Sequence, residues 1–225
     1  MSHKSHIVKK PWGYEYLAYE NEDVALWFLH IDHEQETSMH CHPNKTTGLM
    51  VLDGSVNVSF LRDANLLVPE NKIMIRKGLF HSTKALSAPG ANIFEIETPV
   101  DKQDLVRLRD SYGREGKPYE DQTHEIPKQE DCVWFEEPPS GHTKRYKLSN
   151  CIIDVVRVKN ISYFSTLEEK TNVMFLRGGI LTDYGIYVAG AGDIISSDVL
   201  EQLTKVFDKT AIETVVMVVK NENFC

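Results

Sequence analysis

Short runs of aliphatic, β-branched and aromatic residues, separated by turn residues, recur along this chain of 225 residues. Apolar side chains occupy every second position at Val56, Val58 and Phe60, and again at Ile73 and Ile75. This is the period of a half-buried β-strand, because successive side chains of a strand point to opposite faces. Strands this short and this closely spaced predict an antiparallel sandwich or barrel.

The runs form two series. The first lies before residue 100, and the second begins at Cys151 and closes with the apolar segment 214–219. Charged and loop-like residues dominate 101–120 between them. We therefore predict a first β domain at 1–126, which includes a C-terminal connector, and a second β domain at 127–225. Residues 197–203 are predicted to form a short helix.

Composition narrows the class of partner. The formal net charge of −8 argues against nucleic acid as a partner, because phosphates require basic patches. No apolar run reaches the length that spans a membrane, and the first residues lack an apolar signal core. The four cysteines are scattered without C-x-x-C spacing. We expect a reduced, cytoplasmic protein with no nucleic-acid or membrane partner.

Three histidines are the strongest candidates for chemistry. His40 and His42 are two residues apart, so on a strand their side chains would share one face. His81 ends a Gly-x-x-His segment that begins at Gly78. If a second strand brings His81 across the same cavity, three imidazoles could hold a divalent metal ion with positions left for substrate. The alternative is three unrelated histidines.

These segments resemble the two sequence motifs of the cupin superfamily. His40, His42 and Gly54 match the first motif, and Gly78 and His81 match the second. The resemblance implies an all-β fold, the double-stranded β-helix or jelly roll. It also implies two barrels in tandem (a bicupin), the second degenerate and without the metal. The implied cofactor is a divalent metal ion (Zn, Fe, Mn or Ni) at His40, His42 and His81.

The chain departs from the cupin motifs at three positions. Thr47 stands where the first motif has a glutamate, Arg76 replaces the proline of the second, and Ala85 stands where the second has an asparagine. Three neutral imidazoles without a carboxylate leave the full charge of a divalent ion uncompensated. Such a site is expected to bind metal less tightly and to polarise a carbonyl or anionic ligand more strongly.

The opening Lys-Pro-Trp-Gly at 10–13 resembles cupins of the phosphomannose-isomerase-like and sugar-nucleotide-associated kind. The resemblance implies an isomerase or epimerase acting on a sugar phosphate or nucleotide-linked sugar, in carbohydrate or surface-polysaccharide metabolism. Lys45 and Glu15 are the candidates for proton transfer. The candidate substrate-binding residues are Lys10, Trp12, Thr47 and Arg76. The expected partner is a small carbohydrate or sugar phosphate, and the expected assembly is a homodimer.

Two other functions stay open. Three-histidine cupins include iron-dependent dioxygenases of small organic molecules, and the missing glutamate is compatible with a noncatalytic sugar- or metabolite-binding protein.

Three arginines of the connector are interleaved with acidic residues, which predicts salt-bridged surface; they are Arg107, Arg109 and Arg114.

Overall fold

A computed structural model describes residues 7–101, 103–115 and 132–222. The chain divides into two compact units, Met1–Trp134 and Phe135–Cys225. The domain boundary predicted between residues 126 and 127 lies outside the described residues. No helix in the described ranges is long and apolar enough to cross a membrane.

The first unit is built from eleven short strands within its described residues. They are β1 (Ile7–Lys10), β2 (Gly13–Glu20), β3 (Ala25–Asp32), β4 (Met39–Cys41), β5 (Thr46–Asp53), β6 (Val56–Phe60), β7 (Ala64–Leu67), β8 (Lys72–Ile75), β9 (His81–Ala85), β10 (Gly90–Thr98) and β11 (Val106–Arg109). The runs that alternate in the sequence coincide with β6 and β8, as their period predicts.

These strands form two antiparallel sheets. One has the order β1-β2-β3-β10-β5-β8 and the other the order β11-β4-β9-β6-β7. Strands next to each other in sequence therefore often belong to different sheets, as in a jelly roll. A core cluster that includes Trp12, Leu29, Val58 and Ile93 is buried between them.

The second unit contains eight strands, one α-helix and a 3₁₀-helix among its described residues. They are β12 (Thr143–Leu148), β13 (Cys151–Arg157), the 3₁₀-helix (Ile161–Thr166), β14 (Asn172–Arg177), β15 (Gly179–Leu181), β16 (Tyr187–Gly190), β17 (Ile194–Ser196), α1 (Ser197–Thr204), β18 (Lys209–Thr210) and β19 (Val215–Asn221). The predicted short helix is confirmed as α1.

The strand order of the second unit repeats that of the first. Its larger sheet, β12-β13-β19-β14-β17, matches β2-β3-β10-β5-β8, and its smaller sheet, β18-β15-β16, matches β9-β6-β7. The 3₁₀-helix occupies the chain position of β4, and the two-residue β18 stands for β9. The second unit thus shows the same strand order as β2–β10 of the first, with a 3₁₀-helix and a shortened strand at the positions of β4 and β9.

Candidate metal centre

The three predicted histidines lie together in the smaller sheet of the first unit. His40, in the middle of β4, is the direct cross-strand partner of His81, the first residue of β9. His42 follows the end of β4. The ring centroids are 5.0 Å apart for His40 and His42, 4.5 Å for His40 and His81, and 5.6 Å for His42 and His81.

In all three rings, a backbone carbonyl group determines which nitrogen carries the hydrogen. Nδ1 of His40 lies 2.7 Å from the carbonyl oxygen of Ser38, Nδ1 of His42 lies 2.6 Å from that of Asp104, and Nδ1 of His81 lies 3.0 Å from that of Leu79. A carbonyl oxygen only accepts, so each Nδ1 carries the hydrogen and donates it. Each Nε2 is left with its lone pair, which is the arrangement of metal-binding histidines.

The surroundings keep the three imidazoles neutral. Burial, with the neighbouring His81 and His42, lowers the pKa of His40 well below its usual value. Burial and the Lys45 ammonium lower the pKa of His42 to about 4, and burial lowers the pKa of His81. Neutral imidazole is the form that binds metal, so the rings are ready to do so at neutral pH.

The donor set fits a divalent ion. The candidate ligand atoms of His40, His42 and His81 lie within 4.8 Å of one another. Nε2 of His42 is buried and has no hydrogen-bond partner among the described residues. A buried nitrogen lone pair without a donor is costly, and an ion would satisfy it. These three residues could therefore hold one ion, and no further cluster of potential ligands occurs in the described part of the second unit.

A cavity of the first unit opens beside His40 and His42. Four of the candidate site residues line it, namely Lys10, Trp12, Glu15 and Lys45. All four are buried. Thr47 is fully buried and is not among the cavity-lining residues, and Arg76 is exposed after β8 and does not line the cavity either.

Two ion pairs organise the candidate proton-transfer groups. Lys45 Nζ donates to Glu97 Oε1 at 2.6 Å, and Lys10 Nζ lies 3.4 Å from Glu15 Oε1. All four side chains are nearly inaccessible to solvent, at 3 % to 10 % exposure. Buried charges are found where they are paired, so the pairs hold both lysines and both glutamates in place.

Two glutamates that the sequence analysis did not select also line the cavity. Glu95 and Glu97 lie two residues apart on β10, so both face the interior. Burial and the negative charges of Glu97 and Glu15 raise the pKa of Glu95 to about 8. Burial raises the pKa of Glu97, against the opposing effect of Lys45. The sequence offers one sign of these glutamates, which is a pair of acidic residues two apart among the apolar residues of 93–97.

The connector after β10 completes the site. Besides accepting from His42, Asp104 accepts hydrogen bonds through its carboxylate from the backbone N–H groups of Asn44 and Lys45, at 2.8 and 2.9 Å. Arg107, on β11, is the cross-strand partner of His40 and lines the cavity. Arg114 also lines it and pairs with Asp110 at 2.6 Å, buried rather than at the surface.

Comparison with known proteins gives only distant structural similarity. No protein-family model matches the sequence, and no curated protein was found to be similar in sequence. Among solved structures, KdgF from Halomonas sp. matches with 16 % identity and a TM-score of 0.39, over 41 % of this chain and 84 % of that one.

Two further structures are similar to the same extent. A double-stranded β-helix protein from Klebsiella pneumoniae matches with 14 % identity and a TM-score of 0.40, over 43 % of this chain and 79 % of that one. A sugar phosphate isomerase of the cupin superfamily from Silicibacter pomeroyi matches with 12 % identity and a TM-score of 0.37, over 39 % and 59 %. Similarity at this level says nothing about activity.

The fold therefore rests on the chain's own topology. The first unit pairs a six-stranded and a five-stranded antiparallel sheet, and the paired strands β4 and β9 present the His-x-His and Gly-x-x-His histidines to one point. By this strand order the first unit is a double-stranded β-helix (jelly roll), the fold that the resemblance to cupins predicts.

Proposed function

We propose that this protein is a metal-dependent enzyme that moves a proton on a sugar phosphate or nucleotide-linked sugar, as isomerases and epimerases do. The observation that supports it best is the set of three imidazoles, each with Nδ1 next to a backbone carbonyl oxygen and with candidate ligand atoms within 4.8 Å of one another, of which His40 and His42 line a cavity with buried acids and bases. A divalent ion bound there would polarise the carbonyl or hydroxyl oxygen next to the carbon that loses the proton.

The residues of the cavity would divide the remaining work. Trp12 and Trp27 line it and offer aromatic faces, on which sugar rings stack. Lys45, which pairs with Glu97 and acts on His42 through its charge, would give a proton to a bound oxygen. Glu15, positioned by Lys10, is the second proton-transfer group. Arg107, beside His40, could bind the phosphate, because guanidinium matches phosphate geometry.

Proton exchange in deuterated water tests this function. Protein loaded with Mn²⁺, Zn²⁺, Fe²⁺ or Ni²⁺ is incubated with a panel of aldose phosphates, ketose phosphates and nucleotide sugars, and deuterium incorporation is followed by NMR. We expect incorporation with at least one substrate and a fall of about 10²- to 10⁴-fold for Lys45→Met, the usual contribution of an acid–base group. Lys77→Met, which changes an exposed lysine after β8, is the matched control.

His42→Ala is expected to abolish exchange. Exchange that persists in this variant, or in metal-stripped protein, contradicts the mechanism. Stabilisation by a sugar phosphate without exchange points to a noncatalytic binding protein, and oxygen uptake by the iron-loaded form points to a dioxygenase.

A cytoplasmic location and a homodimeric assembly are part of the proposal. Gel filtration with light scattering checks the assembly.

A further inference from the structure

Glu97 is the buried carboxylate that faces the histidines from the opposite sheet. It is 6 % exposed, and its Oε1 lies 3.9 Å from Nε2 of His42 and 2.6 Å from Nζ of Lys45. The indole of Trp27 donates a second hydrogen bond to it. The carboxylate is thus held in one orientation beside the nitrogen that lacks a hydrogen-bond partner among the described residues.

The pairing of β10 with β5 explains how Glu97 reaches this place. Glu97 is the direct cross-strand partner of Thr47. Directly opposed residues of an antiparallel pair project to the same face, with their Cβ atoms about 5 Å apart. A carboxylate at either position can therefore serve the same region of the barrel interior.

Charge balance calls for such a group. The three imidazoles are neutral, so by themselves they leave both charges of a divalent ion uncompensated in a buried site. A carboxylate a few ångströms away offsets one of them, whether it binds the ion directly or through a ligand of the ion. Glu97 lies close enough to His42 to do so, and Lys45 balances its charge in the structure described here.

We propose that Glu97 is the carboxylate of this metal centre, supplied by β10 in place of a glutamate at Thr47, and that Lys45 is its counter-ion when no metal is bound. This inference rests on the metal site of the proposed function and is independent of turnover. It differs from the expectation, drawn from Thr47, that the site carries the full charge of the ion.

The two partners of the ion pair should change metal affinity in opposite directions. Glu97→Gln removes the negative charge and keeps the size of the side chain, so metal binding weakens. Lys45→Met removes the competing positive charge, so metal binding tightens. If the pair served only to support the fold, both variants would loosen the site and weaken binding. The sign of the Lys45→Met effect therefore separates the two explanations.

The experiment measures the dissociation constant of Co²⁺ by competition with a chromogenic chelator, and the visible absorption of bound Co²⁺ monitors the ligand set. We expect Glu97→Gln to raise the constant by about 10- to 100-fold, as is typical when a partner of the metal site is lost. Glu97→Asp, which keeps the charge, should recover part of this loss. Glu15→Gln is the matched control, a buried glutamate of the same cavity paired with Lys10.

Glu15→Gln is expected to change the constant by less than about threefold, because Lys10 balances its charge and it belongs neither to the three-histidine cluster nor to the second group of possible ligands, which is His42, Glu95 and Glu97. Thermal unfolding of each metal-free variant confirms that it is folded. Wild-type affinity in Glu97→Gln, weaker binding in Lys45→Met, or no Co²⁺ binding by the wild type overturns the inference.

Failure of the inference and failure of the proposed function are distinguishable. If the affinities follow this pattern while no substrate exchanges deuterium, the carboxylate assignment stands and the catalytic proposal falls. If exchange occurs and Glu97→Gln binds Co²⁺ as tightly as the wild type, the assignment of Glu97 falls alone.

Discussion

Glu95 is a half-buried carboxyl group, and its burial makes the stability of the fold depend on pH. Burial and the charges of Glu97 and Glu15 raise its pKa to about 8, whereas the pKa of a glutamate in an unfolded chain is near 4.5. A group whose pKa is raised by folding stabilises the folded state below its unfolded pKa. That contribution is lost as the pH rises toward the folded value.

We therefore predict that Glu95→Gln gains stability relative to the wild type as the pH rises. Each pKa unit corresponds to about 1.4 kcal/mol, so the difference in unfolding free energy should shift by on the order of 3 kcal/mol between about pH 5 and pH 8. Urea denaturation of both metal-free proteins at several pH values measures it. Parallel pH profiles of the two proteins would show that Glu95 ionises normally.

The sequence alone identifies the three histidines of the candidate site but not the buried glutamate beside them. His40, His42 and His81 are recognisable by their spacing alone, and the structure brings their rings together. Glu97 is not recognisable in this way, because its relation to Thr47 depends on the register between β10 and β5, fifty residues apart in sequence. Lys45 is a candidate from its place three residues after His42, but the sequence does not reveal that Glu97 is its ion-pair partner.

At the scale of elements, two glycines in turns show what a tight turn requires: Gly54 lies between β5 and β6, and Gly78 lies before β9. Gly54 has φ +79°, and a methyl group there would lie 2.5 Å from Ser87 Oγ and 2.6 Å from the carbonyl oxygen of Gly90. Gly78, in the turn before β9, has nearly the same φ of +72° but no atom within 4 Å of such a methyl group. Replacing Gly78 by alanine would therefore test the cost of the left-handed conformation alone, and replacing Gly54 would test that cost together with a steric clash.

We predict that Gly54→Ala costs more stability than Gly78→Ala. The left-handed conformation alone costs a non-glycine residue about 1 kcal/mol, which is the expectation for Gly78→Ala. Gly54→Ala adds the steric clash, for a total of about 3 kcal/mol. Urea denaturation at neutral pH measures both. Equal losses would mean that the segment around Ser87 and Gly90 yields without cost.

Strands were easier to predict than the connector. The period-two runs predict β6 and β8, because half-buried strands impose that pattern on the sequence. Charged residues dominate the segment after residue 100, which is therefore predicted to be a connector. The structure places β11 within it, beside β4, and brings Asp104 to His42 and Arg107 to His40. In β11 the apolar side chains of Val106 and Leu108 are exposed while Arg107 lines the cavity, so the rule that apolar residues face the core fails there.

For the whole molecule, the same strand order occurs in both units, and the cluster of three histidines lies in the first. The second unit keeps the strands that build the larger sheet and replaces the chain position of β4 by a 3₁₀-helix. Its core, which includes Phe164, Phe175 and Val216, is apolar. The same strand order therefore does not require the histidines, since a core requires only apolar residues at the correct period.

The metal content of protein purified without an affinity tag or chelator tests the metal centre most directly. We expect inductively coupled plasma mass spectrometry to find about one divalent transition-metal ion per chain, held by three imidazoles. The variants His40→Ala, His42→Ala and His81→Ala should each fall close to zero, while His142→Ala, in the second unit, keeps the wild-type content. A wild-type protein without metal after incubation with Zn²⁺, Fe²⁺, Mn²⁺ and Ni²⁺, or full occupancy in His42→Ala, would contradict the assignment.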